Sequence, residues 1–249
     1  MWDPGQYGRY AMERTRPFHD LMSRVGAQTP SYVVDIGCGS GELTALLAQR
    51  WPAATVEGVD SSPEMLARAP ASPGLGFVHA DARHWRPERP ADVLVSSATM
   101  QWVDEHEQVL RDLVECLVPG GWLALQVPGN FAAPSHVLLR EAVARWMPMF
   151  ALRRDPVLEP AGYLDLLAGA GCRVDAWETT YLQVLEGTDP VLEWVKGTAL
   201  RPVLAALPMA QHGDFLMECG AALRAAYPSG RFGTVFPFRR VFAVAQRWL

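Results

Sequence analysis

The chain has 249 residues, 49% of them hydrophobic, which is enough to bury one large core. Its formal charge is −5, from 22 basic and 27 acidic side chains, and the basic residues do not cluster beyond pairs. This balance argues against a nucleic-acid or membrane-surface partner. The spacing of the four cysteines matches neither a disulfide framework nor a zinc site. The amino terminus lacks the apolar stretch of a secretory signal peptide. We therefore expect a cytoplasmic monomer or homodimer.

Apolar strands alternate with amphipathic helices through the first half of the chain. Strands are predicted at residues 31–37, 54–60, 75–81, 91–98 and 120–128, and helices at 41–51, 62–69 and 104–117. Such alternation predicts a parallel sheet with right-handed crossovers. The second half is predicted to be mostly helical at 134–171 and 188–227, with strands at 172–184 and 234–248. We expect an α/β fold whose late helices either form a cap over a ligand cleft or cover a sheet face.

Three glycines follow the first predicted strand, and two acids end the next two strands. Gly37, Gly39 and Gly41 lie where an open parallel sheet binds ligands, and a glycine loop lets a ligand lie directly on the backbone. A tight turn alone would also explain the glycines. Asp60 and Asp81, however, stand where acids accept hydrogen bonds from ribose hydroxyls and reach an adenine edge. Together these five residues predict a nucleoside site.

The glycine spacing distinguishes two kinds of nucleoside ligand. A dinucleotide fingerprint reads G-x-G-x-x-G and leaves a helix amino terminus free for pyrophosphate. Here the spacing is G-x-G-x-G, and the carboxylate of Glu42, which follows, would repel pyrophosphate. Asp35 instead places negative charge near the ammonium and sulfonium groups of a sulfonium nucleoside. The sequence therefore disfavours a nicotinamide oxidoreductase.

This D-x-G-x-G-x-G pattern, with its two strand-end acids, resembles the class I S-adenosylmethionine-dependent methyltransferases. The resemblance implies a Rossmann-like, mostly parallel sheet of seven strands with the last strand antiparallel. It also implies S-adenosyl-L-methionine as cofactor and S-adenosyl-L-homocysteine as product. The residues that it assigns to the cofactor are Asp35, Gly37, Gly39, Gly41, Asp60, Ser61, Met65, Asp81, Ala82 and Ser97.

Longer stretches resemble the trans-aconitate 2-methyltransferase family, including "SSATMQWV", "VPGNFAAPSHVLLRE", "VLEWVKGTALRP" and "FPFRRVFAVA". The likeness runs in order over nearly the whole chain. This family transfers a methyl group from S-adenosylmethionine to a carboxylate of trans-aconitate, which gives a monomethyl ester. It implies a small-molecule carboxylic acid as the substrate. The chain departs from the family pattern at Gln183-Val184, which replaces a His-Gln pair.

A carboxylate acceptor simplifies the catalytic requirement. Carboxyl groups titrate near ~4, so the attacking oxygen is already ionised at neutral pH, and neither a metal nor a strong general base is required. The protein must hold that oxygen in line with the sulfur–methyl bond and exclude water. Gln101 and Trp102, which follow the fourth strand, are the candidates for this positioning, with packing as the alternative.

A polycarboxylate also needs cations for its other groups, and the arginine fork suits carboxylates better than lysine does. For each candidate cation, the alternative interpretation is an exposed surface charge or one partner of a salt bridge. The substrate-binding candidates are Tyr7, Tyr10, Arg14, Trp102, Trp194 and Arg201, followed in rank by Arg16, Lys196, Arg239 and Arg240. The histidines at 19, 106 and 136 have no partner at fixed spacing, so we interpret them as structural or exposed.

The predicted organisation is one methyltransferase domain over residues 1–249. Its parts are an N-terminal lid segment at 1–29, a cofactor-binding core at 30–130, a mostly helical substrate cap at 131–232 that includes a sheet strand near 172–184, and a final strand at 233–249. Two other functions stay open. One is a methyltransferase that acts on another small acid or specialised metabolite, and the other is an idle binding partner that holds S-adenosylmethionine without catalysis.

Overall fold

The structure is a computed structural model that describes residues 11–150, 152 and 157–249, with side chains from residue 15 onward. The helices are α1 (Ala11–Met22), α2 (Glu42–Arg50), α3 (Pro63–Leu66), α4 (His106–Glu115), α5 (Pro134–Trp146), α6 (Pro160–Gly169), α7 (Pro190–Lys196), α8 (Arg201–Ala206) and α9 (His212–Ala226). The strands are β1 (Tyr32–Ile36), β2 (Thr55–Asp60), β3 (Leu75–His79), β4 (Ala91–Ser97), β5 (Leu117–Pro128), β6 (Cys172–Leu185), β7 (Ser229–Gly230) and β8 (Gly233–Arg247).

The sheet has the strand order β3-β2-β1-β4-β5-β8-β6, and the short β7 pairs with β8. The pairs β1–β2, β2–β3, β1–β4 and β4–β5 are parallel. All five side chains of β1 are buried, as expected for a central strand of a parallel sheet covered on both faces. The order reverses between β1 and β4, and such a reversal is where α/β sheets bind ligands.

The last long strand, β8, runs antiparallel to β5 and to the short β7. Near the end of β5, the backbone N–H of Gly129 donates to the Arg239 carbonyl at 3.0 Å. Near the start of β5, the Gln246 side chain donates to the Gly120 carbonyl at 3.2 Å. Later residues of β8 therefore lie beside earlier residues of β5. The predicted seven-stranded sheet with an antiparallel last strand is confirmed, and the two-residue β7 adds to it.

The chain divides into two compact units. The sheet unit comprises the described residues of Arg14–Pro128, Pro156–Glu178 and Val241–Leu249. The helical unit comprises the described residues of 1–13 and 129–155 together with Thr179–Arg240. Strands β6 and β8 therefore contribute residues to both. The predicted cap segment is divided as well, because α6 belongs to the sheet unit, whereas α5, α7, α8 and α9 belong to the helical unit.

Each unit has its own buried core. In the sheet unit, aliphatic side chains of β1, β4 and β5 pack with α4 and α6, and the hydroxyl of Tyr163 on α6 lies 3.2 Å from Nε2 of His106 on α4. Helix α6 thus covers a face of the sheet unit. In the helical unit, Phe215 and Phe236 are fully buried among residues of α5, α7 and α9. Within the described residues, no helix has the length and apolar character needed to cross a membrane.

Candidate active site

The three glycines of the loop after β1 all have left-handed backbone conformations, with φ of +77° at Gly37, +57° at Gly39 and +75° at Gly41. Residues other than glycine rarely adopt this left-handed backbone conformation. A Cβ at Gly37 would lie 2.1 Å from Oγ1 of Thr99, and one at Gly41 would lie 2.6 Å from the ring of Phe77. At these two positions, therefore, the protein's own side chains fill the space that glycine leaves.

Gly39 differs from the two other glycines. The nearest atom to a Cβ there would be Cε of Met65, at 3.3 Å, which is the end of a flexible side chain. The expectation that a ligand lies on bare backbone therefore fits Gly39 best, with Met65 beside it.

The Asp60 carboxylate joins three elements at the end of β2. One oxygen accepts a hydrogen bond from the Gly39 N–H at 2.8 Å, and the other accepts one from the Ser62 N–H at 2.8 Å. Ser62 in turn caps α3, where its hydroxyl accepts from the Met65 N–H at 3.3 Å, whereas Ser61 is exposed. A carboxylate has about four lone-pair sites, so Asp60 keeps acceptor capacity for ribose hydroxyls.

Asp35 on β1 is a buried carboxyl, 2% exposed. The hydroxyl of Thr44 on α2 donates to it at 2.7 Å. Burial raises the pKa of Asp35 to about 6, the Thr44 hydrogen bond acts in the opposite direction, and the negative charge of Asp60 raises it further. A buried acid with a raised pKa favours a cation nearby, because a cation offsets the cost of ionising it.

This raised pKa predicts a pH-dependent loss of stability that Asp35→Asn removes. The ordinary value is 3.8, so between about pH 4 and 6 the folded protein holds a proton that the unfolded chain has lost. The contribution of Asp35 to stability should therefore fall by ~3 kcal/mol as pH rises through this window, so wild type should lose that much relative to Asp35→Asn.

Urea denaturation from pH 4 to 8 measures the difference, with Asp214→Asn as the control because Asp214 is exposed on α9. Parallel pH profiles for wild type and Asp35→Asn would contradict the assignment.

Asp81 follows β3, and both of its oxygens are engaged by its neighbour Arg83. The Arg83 backbone N–H donates at 2.9 Å, and its guanidinium donates at 2.5 to 3.1 Å. These hydrogen bonds lower the pKa of Asp81 to about 2. An adenine amino group would share this carboxylate with Arg83. The next residue, Ala82, is partly buried against the core of the sheet unit.

The segment after β4 presents one exposed aromatic side chain beside anchored polar ones. The Ser97 hydroxyl accepts from the Gln126 side chain at 2.8 Å, and Ala98 has φ of +59°. Gln101 is buried, and its side chain donates to the Ala98 carbonyl at 2.6 Å, which fixes the turn. Trp102, by contrast, is 59% exposed. Gln101 therefore holds the turn in place, and the Trp102 side chain is exposed beside it.

The remaining acceptor candidates lie in different environments. Trp194 is 3% exposed and packs edge-on against the Phe236 ring and at a tilt against the Phe238 ring, both on β8, as a core residue does. Arg201 is exposed at the start of α8, and within the described residues its guanidinium forms no ion pair. Tyr7 and Tyr10 lie outside the described residues, and Arg14 is described only as a backbone position of α1.

Sequence reasoning missed two supporting residues of the sheet unit. Thr44 holds the Asp35 carboxylate, and Thr99 fills the space beside Gly37 while its hydroxyl donates to the Gly37 carbonyl at 3.2 Å. The sequence did contain a signal for Thr44, because it is a polar residue inside the helix that follows the glycine loop. The sequence contained no such signal for Thr99, because Thr99 and Gly37 are 62 residues apart.

Comparison with known proteins identifies the family. A family model described as a methyltransferase domain matches residues 8–176. The trans-aconitate 2-methyltransferase of Streptomyces avermitilis is 52% identical, over 99% of this chain and 97% of that protein. The chain belongs to the trans-aconitate 2-methyltransferase family. The Rhodococcus jostii protein of the same name is 51% identical over 99% of both chains.

Among solved structures, phosphoethanolamine N-methyltransferase 2 of Haemonchus contortus in complex with S-adenosyl-L-methionine has the same fold. The match has a TM-score of 0.58 and 17% identity, and it covers 94% of this chain and 53% of that one. Membership of the trans-aconitate 2-methyltransferase family confirms the predicted enzyme class and cofactor. The chain is an S-adenosylmethionine-dependent methyltransferase, and the nicotinamide oxidoreductase alternative is excluded.

Proposed function

We propose that this enzyme methylates one carboxylate of trans-aconitate and releases the monomethyl ester and S-adenosyl-L-homocysteine. The observation that carries the proposal is the identity of about half of all residues, over nearly the full chain, with relatives named for that acceptor. A small tricarboxylate also agrees with a sequence whose basic residues are scattered, because a single small anion needs only a few cations.

The sheet unit offers donors and acceptors that fit the cofactor. Asp60 keeps lone pairs for the ribose hydroxyls, and its hydrogen bond fixes Gly39, the most open position of the glycine loop. Asp35 supplies buried negative charge that suits a sulfonium and an ammonium group. We assign Ser61, Met65, Asp81, Ala82 and Ser97 to the rest of the nucleoside, by their places at and after the ends of β2, β3 and β4.

The chemistry requires little proton transfer from the protein. The bound cofactor supplies an electrophilic methyl group on a sulfonium. The acceptor carboxylate is ionised above ~4, so no side chain has to remove a proton from it. Trp102 provides an apolar surface that excludes water, and Gln101 keeps the turn that presents it in place. Orienting the two reactants can lower such a barrier by roughly 7–11 kcal/mol.

A mass-spectrometric assay tests the proposal. Purified enzyme with S-adenosylmethionine is given trans-aconitate, cis-aconitate, citrate, itaconate and fumarate in separate reactions, and S-adenosylhomocysteine and singly methylated esters are quantified. We expect trans-aconitate to be methylated at the highest kcat/KM. A higher kcat/KM for another acid would replace the acceptor but keep the reaction. Binding of S-adenosylmethionine without turnover of any acid would overturn carboxyl methylation.

Trp102→Ala tests the role assigned to the exposed aromatic. We expect kcat to fall by roughly 10-fold, because truncation opens the site to water, whereas the affinity for S-adenosylhomocysteine stays unchanged. The matched control is Trp248→Ala, since Trp248 is similarly exposed, at 61%, near the carboxyl terminus. An equal effect of the two substitutions on kcat would contradict the role.

A further inference from the structure

A hydroxyl on helix α2 donates to the buried carboxyl of the central strand. Thr44 is fully buried, and its hydroxyl lies 2.7 Å from one oxygen of Asp35, which is itself 2% exposed. Both residues belong to the sheet unit. A threonine inside a helix can donate to a backbone carbonyl of the preceding turn of its own helix. Here the hydroxyl donates to an acid outside the helix, so the contact links α2 to the cofactor end of β1.

The surroundings of Asp35 make negative charge costly at this position. Its neighbours on the adjoining strands are Gly58 of β2 and Val95 of β4, and both are uncharged. The charged group that acts on it is Asp60, which repels it. In the glycine loop, burial and the charges of these two acids raise the pKa of the Cys38 thiol, so the thiol is neutral at pH 7. None of these four residues stabilises an ionised carboxylate.

The other charged residues on β2, β4 and α2 have partners of their own or are exposed. Glu57 on β2 accepts from the Tyr32 hydroxyl at 3.2 Å, and Asp92 on β4 accepts from the Tyr32 N–H at 2.9 Å. Glu42 at the start of α2 is exposed. Arg50 at the end of α2 donates to two backbone carbonyls near the end of α1. The stabilising contact that the structure gives the buried carboxylate is therefore the hydroxyl on α2.

This hydrogen bond controls how readily Asp35 ionises. Burial raises the pKa of Asp35 to about 6, and the hydrogen bond from Thr44 acts in the opposite direction because it stabilises the charged form. A hydrogen bond to a charged group shifts an equilibrium by about 10- to 100-fold, which corresponds to about one to two in pKa. Without the hydroxyl, therefore, at least about half of the Asp35 carboxyls would be protonated at pH 7.

We propose that Thr44 is a positioning residue for the cofactor, because its hydroxyl holds the Asp35 carboxylate in the ionised form that pairs with the positive groups of S-adenosylmethionine. The inference rests on the proposed function, which assigns Asp35 to the cofactor. A cationic ligand pairs with the carboxylate and not with the neutral acid. Its apparent affinity is therefore reduced by the fraction of free protein in which Asp35 holds a proton. Thr44 keeps that fraction small at neutral pH.

Calorimetry with S-adenosylhomocysteine, which keeps the ammonium group of the cofactor, tests this role in Thr44→Val. Valine keeps the β-branched shape of threonine and loses the hydroxyl. We expect the Kd of the variant to exceed that of wild type by about 5- to 50-fold at pH 6, whereas the two should agree within about twofold at pH 8.5. The ratio at each pH cancels the titration of the ligand. Thr44→Ala should reproduce this pattern, and Thr44→Ser, which keeps the hydroxyl, should follow wild type.

Thr99→Val is the matched control. It also removes a threonine hydroxyl that contacts the glycine loop, but this hydroxyl donates to the Gly37 carbonyl, at 3.2 Å, and not to a carboxyl. Any loss of affinity in this control should have the same size at every pH, as expected for a loosened loop. A Kd ratio for Thr44→Val that is likewise constant with pH would reduce Thr44 to a structural role and overturn the proposal.

Proton release on binding gives a readout that does not depend on turnover. At pH 7, calorimetry in buffers of different ionisation enthalpy should show release of about 0.1 proton from wild type and about 0.5–0.9 proton from Thr44→Val. Equal release from the two proteins would overturn the proposal while leaving methylation of trans-aconitate intact. Conversely, the expected difference in a protein that methylates no acid would support the role of Thr44 and refute the proposed function.

Discussion

Replacing Gly37 with alanine is expected to destabilise the protein by about 2–5 kcal/mol. The backbone there has φ of +77°, which costs an L-residue roughly 1–2 kcal/mol. The added Cβ would also lie 2.1 Å from Oγ1 and 2.6 Å from Cβ of Thr99, so the overlap cannot be relieved by rotating the threonine alone. Denaturation in urea measures the loss, and weakened cofactor binding should accompany it.

Gly171→Ala separates the two contributions to that loss. Gly171 has φ of +86°, but a Cβ there would meet no atom within 4 Å, so only the conformational cost of about 1–2 kcal/mol should remain. Adding Thr99→Gly to Gly37→Ala should recover part of the packing cost, compared with Thr99→Gly alone. If Gly37→Ala cost no more than Gly171→Ala, the packing of Thr99 against Gly37 would be refuted.

Replacing Asp60 with alanine is expected to weaken S-adenosylhomocysteine binding by about 10- to 100-fold. Hydrogen bonds to a charged group contribute roughly 1.5–3 kcal/mol, and the carboxylate is also the acceptor for the N–H groups of Gly39 and Ser62. The variant thus loses a ligand contact and loosens the loop. Calorimetry gives the affinity, and the melting temperature of the free protein shows how far the fold itself is weakened.

Two further substitutions distinguish the roles of Asp60. Asp60→Asn keeps one carbonyl acceptor but loses the charge, so its affinity should lie between those of wild type and Asp60→Ala. Ser62→Ala removes the α3 cap while leaving the carboxylate in place, and it should change the affinity only a few-fold. An Asp60→Ala variant that bound S-adenosylhomocysteine as wild type does would place the ribose elsewhere.

The elements of the sheet unit were predictable because their signals are local. Strand β1 is apolar except for Asp35, and Ser62 and Pro63 mark the start of α3 as its N-cap and first residue. The acids at 60 and 81 fall at or after strand ends, where chain order alone places them. The antiparallel direction of β8 came from the family resemblance instead. The apolar pattern of a strand does not show whether its neighbours run parallel or antiparallel to it.

The parts that escaped prediction depend on contacts between distant residues. In the sequence Trp194 is an aromatic residue beside charged ones, and nothing near it shows that two phenylalanine rings of β8 pack against it. Nothing local in the sequence shows that Arg145 is paired, because its partner Glu218 lies 73 residues further on.

One labelled reaction tests the central claim most directly. The enzyme is given S-adenosylmethionine with a trideuterated methyl group and trans-aconitate with oxygen-18 in all carboxyl groups, and the ester is analysed by mass spectrometry. Attack by a carboxylate oxygen on the methyl group predicts an ester that carries the trideuteromethyl group and keeps both oxygen-18 atoms of the methylated carboxyl. An ester that has lost one oxygen-18, or a labelled methyl group on carbon, would contradict carboxylate methylation by this enzyme.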